Sequence, residues 1–142
     1  MKTEKVSVNL SPTELGQIDL LVDRGLFDSR SDFMRSAARK SLEGYTVDFQ
    51  QFLEPEYLKN EKESDLIWAV GIMGLTKSEV TRLIMKGKKI HIRIIGLYTI
   101  AKNITPEEIQ QSVLSCKVYG KLIASEEVKG ALRNIEEVSY LQ

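Results

Sequence analysis

Three polar side chains near the start of the chain, Lys5, Ser7 and Asn9, recur at every second position. An ammonium, a hydroxyl and a carboxamide are groups that donate to and accept from base edges in a DNA major groove. Val6, Val8 and Leu10 stand between them. The alternation is the period of a half-buried strand with one polar and one apolar face. Alternation alone leaves a second reading open, since any half-exposed strand has a solvated polar side.

Elsewhere the chemistry-bearing residues are sparse. His91 and Cys116 are the single histidine and cysteine. One of each is thin for a selective metal site, even pooled over an oligomer, and one histidine leaves little room for general-base catalysis. His91, in an alternating run, is expected at the surface, and Cys116 is expected as a small buried hydrophobe. Glu107, Glu108, Glu126 and Glu127 stand where helix starts favour acids. There is no glycine-rich phosphate loop and no recognisable Ser/His/Asp motif. The expectation is therefore no enzyme, no metal and no cofactor. Arg82, Lys86, Lys88, Lys89 and Arg93 form a local basic cluster, read as a solvated helix end ahead of a second nucleic-acid contact. Trp68, alone in an apolar run, is expected in a core.

The elements that must position Lys5, Ser7 and Asn9 follow in order. A strand of about six residues is unstable alone, and no second alternating run follows until residue 90. Pairing with the same strand of a second copy, across a two-fold axis, satisfies its backbone. Ser11, Pro12 and Glu14 make a helix start with a cap, a proline at the first turn and an acid able to reach back. Leu15, Ile18, Leu21 and Val22 recur at helical spacing, and Gly25 is the expected stop. A second helix begins at Ser29, with Asp32 three residues on, carries Phe33 and Ala37 on one face, and ends near Gly44. A strand and two helices in 44 residues cannot enclose a core alone, so an intertwined dimer is expected.

That order, with Lys5-Val6-Ser7-Val8-Asn9-Leu10-Ser11-Pro12, then Gly25-Leu26-Phe27-Asp28-Ser29-Arg30-Ser31-Asp32-Phe33 and Arg35-Ser36-Ala37, resembles the ribbon-helix-helix (Arc/MetJ/CopG-type) family of small dimeric DNA-binding repressors. The resemblance covers residues 1–44. It implies an intermolecular two-stranded antiparallel ribbon that enters the major groove, with Lys5, Ser7 and Asn9 contacting bases. It also implies that the amino end of the second helix, around Ser29, Arg30 and Ser31, grips a DNA phosphate. Unpaired N–H groups and the positive end of the helix dipole make such an end an anion site. Ser29 has a structural role as a cap, and Arg30 can be read as a solvated charge. A C-terminal domain behind such a head raises the nickel-responsive regulators, which need several histidines and a cysteine at ligand spacing. One His and one Cys do not supply that set.

Composition bounds the rest. The chain has 142 residues, 42% hydrophobic and 28% charged, with 20 basic and 20 acidic side chains and zero net charge. Zero net charge counts weakly against nucleic-acid binding, since such domains are often strongly basic. Residues 1–44 balance seven basic against seven acidic side chains, so DNA contact must come from placement of charge. No run of eighteen apolar residues and no apolar leader is present, so neither a membrane partner nor export is expected, and the protein is expected in the cytoplasm.

Residues 45–65 read as a linker with amphipathic helical pieces, carrying Val47, Phe49, Phe52, Leu53, Tyr57 and Leu58, broken at Pro55 and closed by a charged cluster at 61–65. Residues 66–142 read as a small C-terminal α/β module. Its apolar run at 66–73 is broken by Gly71 and Gly74, and a third capping box starts at Thr76. The run at 90–101 reads as a strand pair or a strand bent at Gly96. Thr105 starts a further helix, residues 117–124 a β-like run and Ser125 a last helix. The segments around Gly96 and Gly120 share a form, and two copies are too few for a repeat fold. The whole is α+β in class. Two functional expectations follow. One is a sequence-specific DNA-binding regulator, a repressor, whose C-terminal module joins dimers or binds an effector or protein. The other is an antitoxin of the same family, whose C-terminal part binds a toxin.

Overall fold

The computed structural model describes residues 3–53, 65–135 and 139–140. Tyr57, Leu58, Pro55 and the charged stretch 61–64 of the expected linker lie outside the described residues. The chain divides into two compact units, Met1–Phe49 and Gln50–Gln142.

Unit 1 holds helices α1 (Pro12–Asp23) and α2 (Arg30–Glu43). Ser11 caps α1, its hydroxyl accepting from the Glu14 N–H, with Pro12 in the first turn. Gly25, at φ 78°, ends it. The Gly25 N–H donates to the Val22 carbonyl and the Leu26 N–H to that of Leu21, the paired bonds that a left-handed glycine makes available. Ser29 caps α2 through the Asp32 N–H. Phe27 and Phe33 close the turn edge-to-face, ring centroids 5.0 Å apart. Residues 3–10 form no strand within a single chain, and Val6 and Val8 are 81% and 57% exposed. A short helix, α3 (Phe49–Leu53), follows.

Unit 2 is a four-stranded parallel sheet in the order β1 (Leu66–Leu75), β2 (Ile90–Ile100), β3 (Val113–Ile123), β4 (Ser139–Tyr140). Helices α4 (Lys77–Met85), α5 (Pro106–Ser112) and α6 (Glu126–Arg133) make the crossovers. Thr76 and Thr105 each form a complete capping box, with Glu79 and Glu108 reaching back to the cap N–H. Ser125 caps α6 through the Val128 N–H. One face of the sheet packs on the helices. Ile90, Ile92, Ile94, Tyr98 and Ile100 of β2 and Val113, Cys116, Val118 and Leu122 of β3 bury against Val80, Ile109, Val128, Ala131 and Leu132.

Several expectations change here. The run at 66–75 is one continuous strand, and neither Gly71 nor Gly74 breaks it. The run at 90–100 is likewise one strand and not a pair. The repeated form has a third copy. Gly71, Gly96 and Gly120 lie side by side across the sheet, at φ 127°, 133° and 124°. Each takes the same positive-φ conformation at the same height of the sheet. A Cβ on Gly96 would lie 2.1 Å from the Gly71 carbonyl oxygen, and one on Gly120 would lie 2.2 Å from that of Gly96. Glycine is therefore required twice over at the inner two positions, by φ and by the neighbouring carbonyl. Unit 2 is a stack of strand–helix rungs, each resting on the one before.

Candidate nucleic-acid interface

In unit 1, Lys5, Ser7 and Asn9 are all exposed on the segment that leads into α1. Ser29, Arg30 and Ser31 come together at the start of α2, because Ser29 is its cap and the other two its first helical residues. The Ser29 hydroxyl is occupied by the Asp32 N–H at 3.0 Å, and the Asp32 carboxylate accepts from the Asp28 N–H at 3.0 Å. Helix geometry leaves the N–H groups of Arg30 and Ser31 outside the ladder and the cap, pointing outward from the positive end of the dipole.

The Arg30 side chain is committed elsewhere. Its Nε and Nη2 donate to the two carboxylate oxygens of Asp19 on α1, both at 2.7 Å. This fork holds the Asp19 carboxyl below its ordinary range, chiefly through the hydrogen bond from Arg30. The pair ties α1 to α2 and engages the Arg30 guanidinium, while the Arg30 backbone N–H stays outside the helix ladder.

Behind the N-terminal segment lies an open apolar groove of about 660 Å³, lined by Leu10, Ile18, Leu21, Phe33, Met34 and Ala37 among others. Ile18 is the one buried side chain among residues 3–49. Two amphipathic helices with a single buried residue and an uncovered groove have no core of their own.

In unit 2, His91 and Arg93 are not where the alternation put them. His91 is 8% and Arg93 1% exposed, both on the sheet face opposite the helices. The parallel register sets His91 beside Ser115. The Ser115 hydroxyl lies 2.6 Å from His91 Nδ1 and accepts from Arg93 Nη1 at 2.8 Å. Arg93 Nη1 also donates to the Ile92 carbonyl at 2.9 Å. Ser115, 2% exposed, is out of reach of a substrate and serves as a bridge. Arg93 is therefore no part of the basic cluster around Lys86. Trp68 also departs from expectation, being 40% exposed on β1. Cys116 is buried as expected, and burial pushes its thiol up to about 12. It sits in register with Ile92, so it projects from the face opposite to His91, and the two cannot share a metal ion. Among the described residues no three His, Cys, Asp or Glu side chains are grouped to hold a metal. The sequence carried one signal for the buried polar trio, the spacing of Gly96 and Gly120, which fixes the register that brings Ser115 to His91.

A short exposed segment leads into two capped helices joined by a glycine-ended turn, beside an apolar groove. The chain belongs to the ribbon-helix-helix transcriptional regulator family, whose model matches residues 1–129. The match runs through the rungs of unit 2 as well as the head, so the two units are matched together. No curated protein and no solved structure matches the chain. Among the described residues, no helix is long and apolar enough to cross a membrane.

Proposed function

We propose that the protein is a sequence-specific repressor working in the cytoplasm. Two chains pair residues 5–10 as an antiparallel ribbon, which seats Val6, Val8 and Leu10 over the helices. Lys5, Ser7 and Asn9 then face base edges in the major groove. The N–H groups of Arg30 and Ser31, with the hydroxyls of Ser29 and Ser31, hold a phosphate at the start of α2. Unit 2 joins such dimers into tetramers or larger assemblies, which raises affinity for repeated operators through effective concentration. The observation that carries the reading is the exposure of Val6 and Val8 beside an open apolar groove, with one buried side chain among residues 3–49. An antitoxin of the same family would use its C-terminal part to bind a toxin. The layered sheet and capped helices of unit 2 favour the assembly role over that of a toxin-binding tail.

Base readout and phosphate grip separate in binding titrations on matched and scrambled duplexes. Asn9→Ala should cost about 1–3 kcal/mol on the cognate duplex and little on the scrambled one, because a carboxamide–base contact is sequence-specific. Ser31→Glu should weaken both equally, because a phosphate carries no sequence. Equal proportional loss on both duplexes for Asn9→Ala would remove the ribbon face as the reader.

A further inference from the structure

β1 is the first rung of the stack, and among the described residues it pairs on one side only, with β2. The Asp65 carbonyl accepts from the His91 N–H and the Leu75 carbonyl from the Ala101 N–H. Odd-numbered residues of β1 therefore turn their backbone toward β2. Leu66, Trp68, Val70, Ile72 and Gly74 turn theirs outward, each with an N–H and a C=O. Natural sheets guard such an edge with charge, proline or a bulge. β1 has none of these. It carries no charged residue and no proline over ten positions, and pairs with β2 without a register shift. The charges lie instead on the inner strands, Arg93 on β2 and Lys117 and Lys121 on β3. Beside the bare edge, Trp68, Val70 and Ile72 are 40%, 57% and 64% exposed on the face away from the helices.

We infer that the β1 edge is a self-association surface, pairing antiparallel with β1 of a second copy across a two-fold axis near Val70. This rests on the assembly role proposed above and places it on one strand. The occupant is a second copy for two reasons. An isologous contact sets like against like, so a charged edge would repel itself and an uncharged one does not. Each ribbon dimer proposed above presents two such edges, so pairing one edge with a second dimer holds the remaining two at high effective concentration and closes a tetramer. With Val70 opposite itself, the five outward residues of each strand meet as hydrogen-bonded pairs, closing about ten backbone bonds. Trp68 and Ile72 flank the axis and bury together. The result is one continuous sheet of eight strands, with the unguarded edge at its centre.

The test uses the full chain. Val70→Cys should form a disulfide-linked dimer under mild oxidation, because a hydrogen-bonded pair holds its Cα atoms at about 5.5 Å, within disulfide reach. Met85→Cys, 82% exposed on α4, is the control and should not cross-link. Cys116 is buried and does not compete. In sedimentation, Val8→Asp should break the ribbon and leave a dimer, and Val8→Asp with Val70→Lys should give monomers. Val70→Lys alone should bind a single-site duplex as the unaltered protein does. No more cross-linking at Val70 than at Met85, or a monomeric Val8→Asp chain, overturns the inference. Failure of the ribbon reading shows differently. Val8→Asp would then leave DNA binding intact, and the cross-link at Val70 would still form.

Discussion

Replacing the aligned glycines one at a time separates two costs that act together in the native sheet. Gly71, Gly96 and Gly120 share φ of 124–133°, where a side-chain-bearing residue costs about 1–3 kcal/mol. Gly71→Ala incurs only that, because nothing lies within 4 Å of its added Cβ. Gly96→Ala adds a second cost. Its Cβ would stand 2.1 Å from the Gly71 carbonyl oxygen, a backbone atom that can move only if β1 moves. Forcing that shift costs about another 1–3 kcal/mol, by analogy with overpacked cores. Gly120→Ala meets the Gly96 carbonyl at 2.2 Å and should match Gly96→Ala. A domain of 60–100 residues loses about 4–8 °C in melting temperature per kcal/mol, and Gln50–Gln142 falls in that range. Gly96→Ala should therefore lower the melting of unit 2 by more than about 10 °C, and Gly71→Ala by clearly less. Calorimetry of the full chain reads both values. Three equal losses would refute the carbonyl argument, and an unchanged Gly96→Ala would refute the aligned register itself.

The Cys116 thiol, pushed up to about 12 by burial, should resist alkylation at pH 8 in the folded protein and react only as unit 2 opens. Labelling that is slowed in proportion to the stability of unit 2 is the expected result, and prompt labelling counts against the packing of β3. The Asp19 carboxyl is held below its ordinary range, so its contribution to unit 1 is present above that range and disappears as pH falls through the lowered value. Arg30→Ala should flatten that acid limb, read by circular dichroism against pH. High salt should mute the effect, because the pair is exposed.

The parts of the fold that read directly from sequence are local. Ser11, Ser29, Thr76, Thr105 and Ser125 each announce a helix, because a cap and its N–H partner lie within three residues of each other. The turn at Gly25 is equally local. The sheet is not. The run Leu66-Ile67-Trp68-Ala69-Val70 shows no alternation, so period gave no sign of a strand, and Gly71 read as a breaker without its neighbours in space. His91 and Arg93 alternate like surface residues, and only the parallel register with Ser115 shows that they are buried together. At the candidate interface, Ser29 as a cap was legible. The capture of Arg30 by Asp19, eleven residues earlier on another helix, was not.

The spacing of the rungs also constrains how this chain can change length. Leu66 pairs with His91, His91 with Ser115 and Lys117 with Ser139, steps of 25, 24 and 22 residues. At the start of β3 the sheet already holds one extra residue, since Ile90 pairs with Val113 and His91 with Ser115. A residue added within the matched run after Ser115 would carry Gly120 out of line with Gly96 and turn the later side chains to the wrong face. The turns from strand to helix are more forgiving. Leu75 leads directly to the cap at Thr76, whereas Ala101, Lys102, Asn103 and Ile104 intervene between Ile100 and the cap at Thr105. Descendants of this sequence are thus free to drift at those turns, or to gain and lose a rung whole, but not to shift within one. Because the two capped helices of unit 1 end before the first strand, such a change would alter how far the sheet extends without altering the sequence of unit 1.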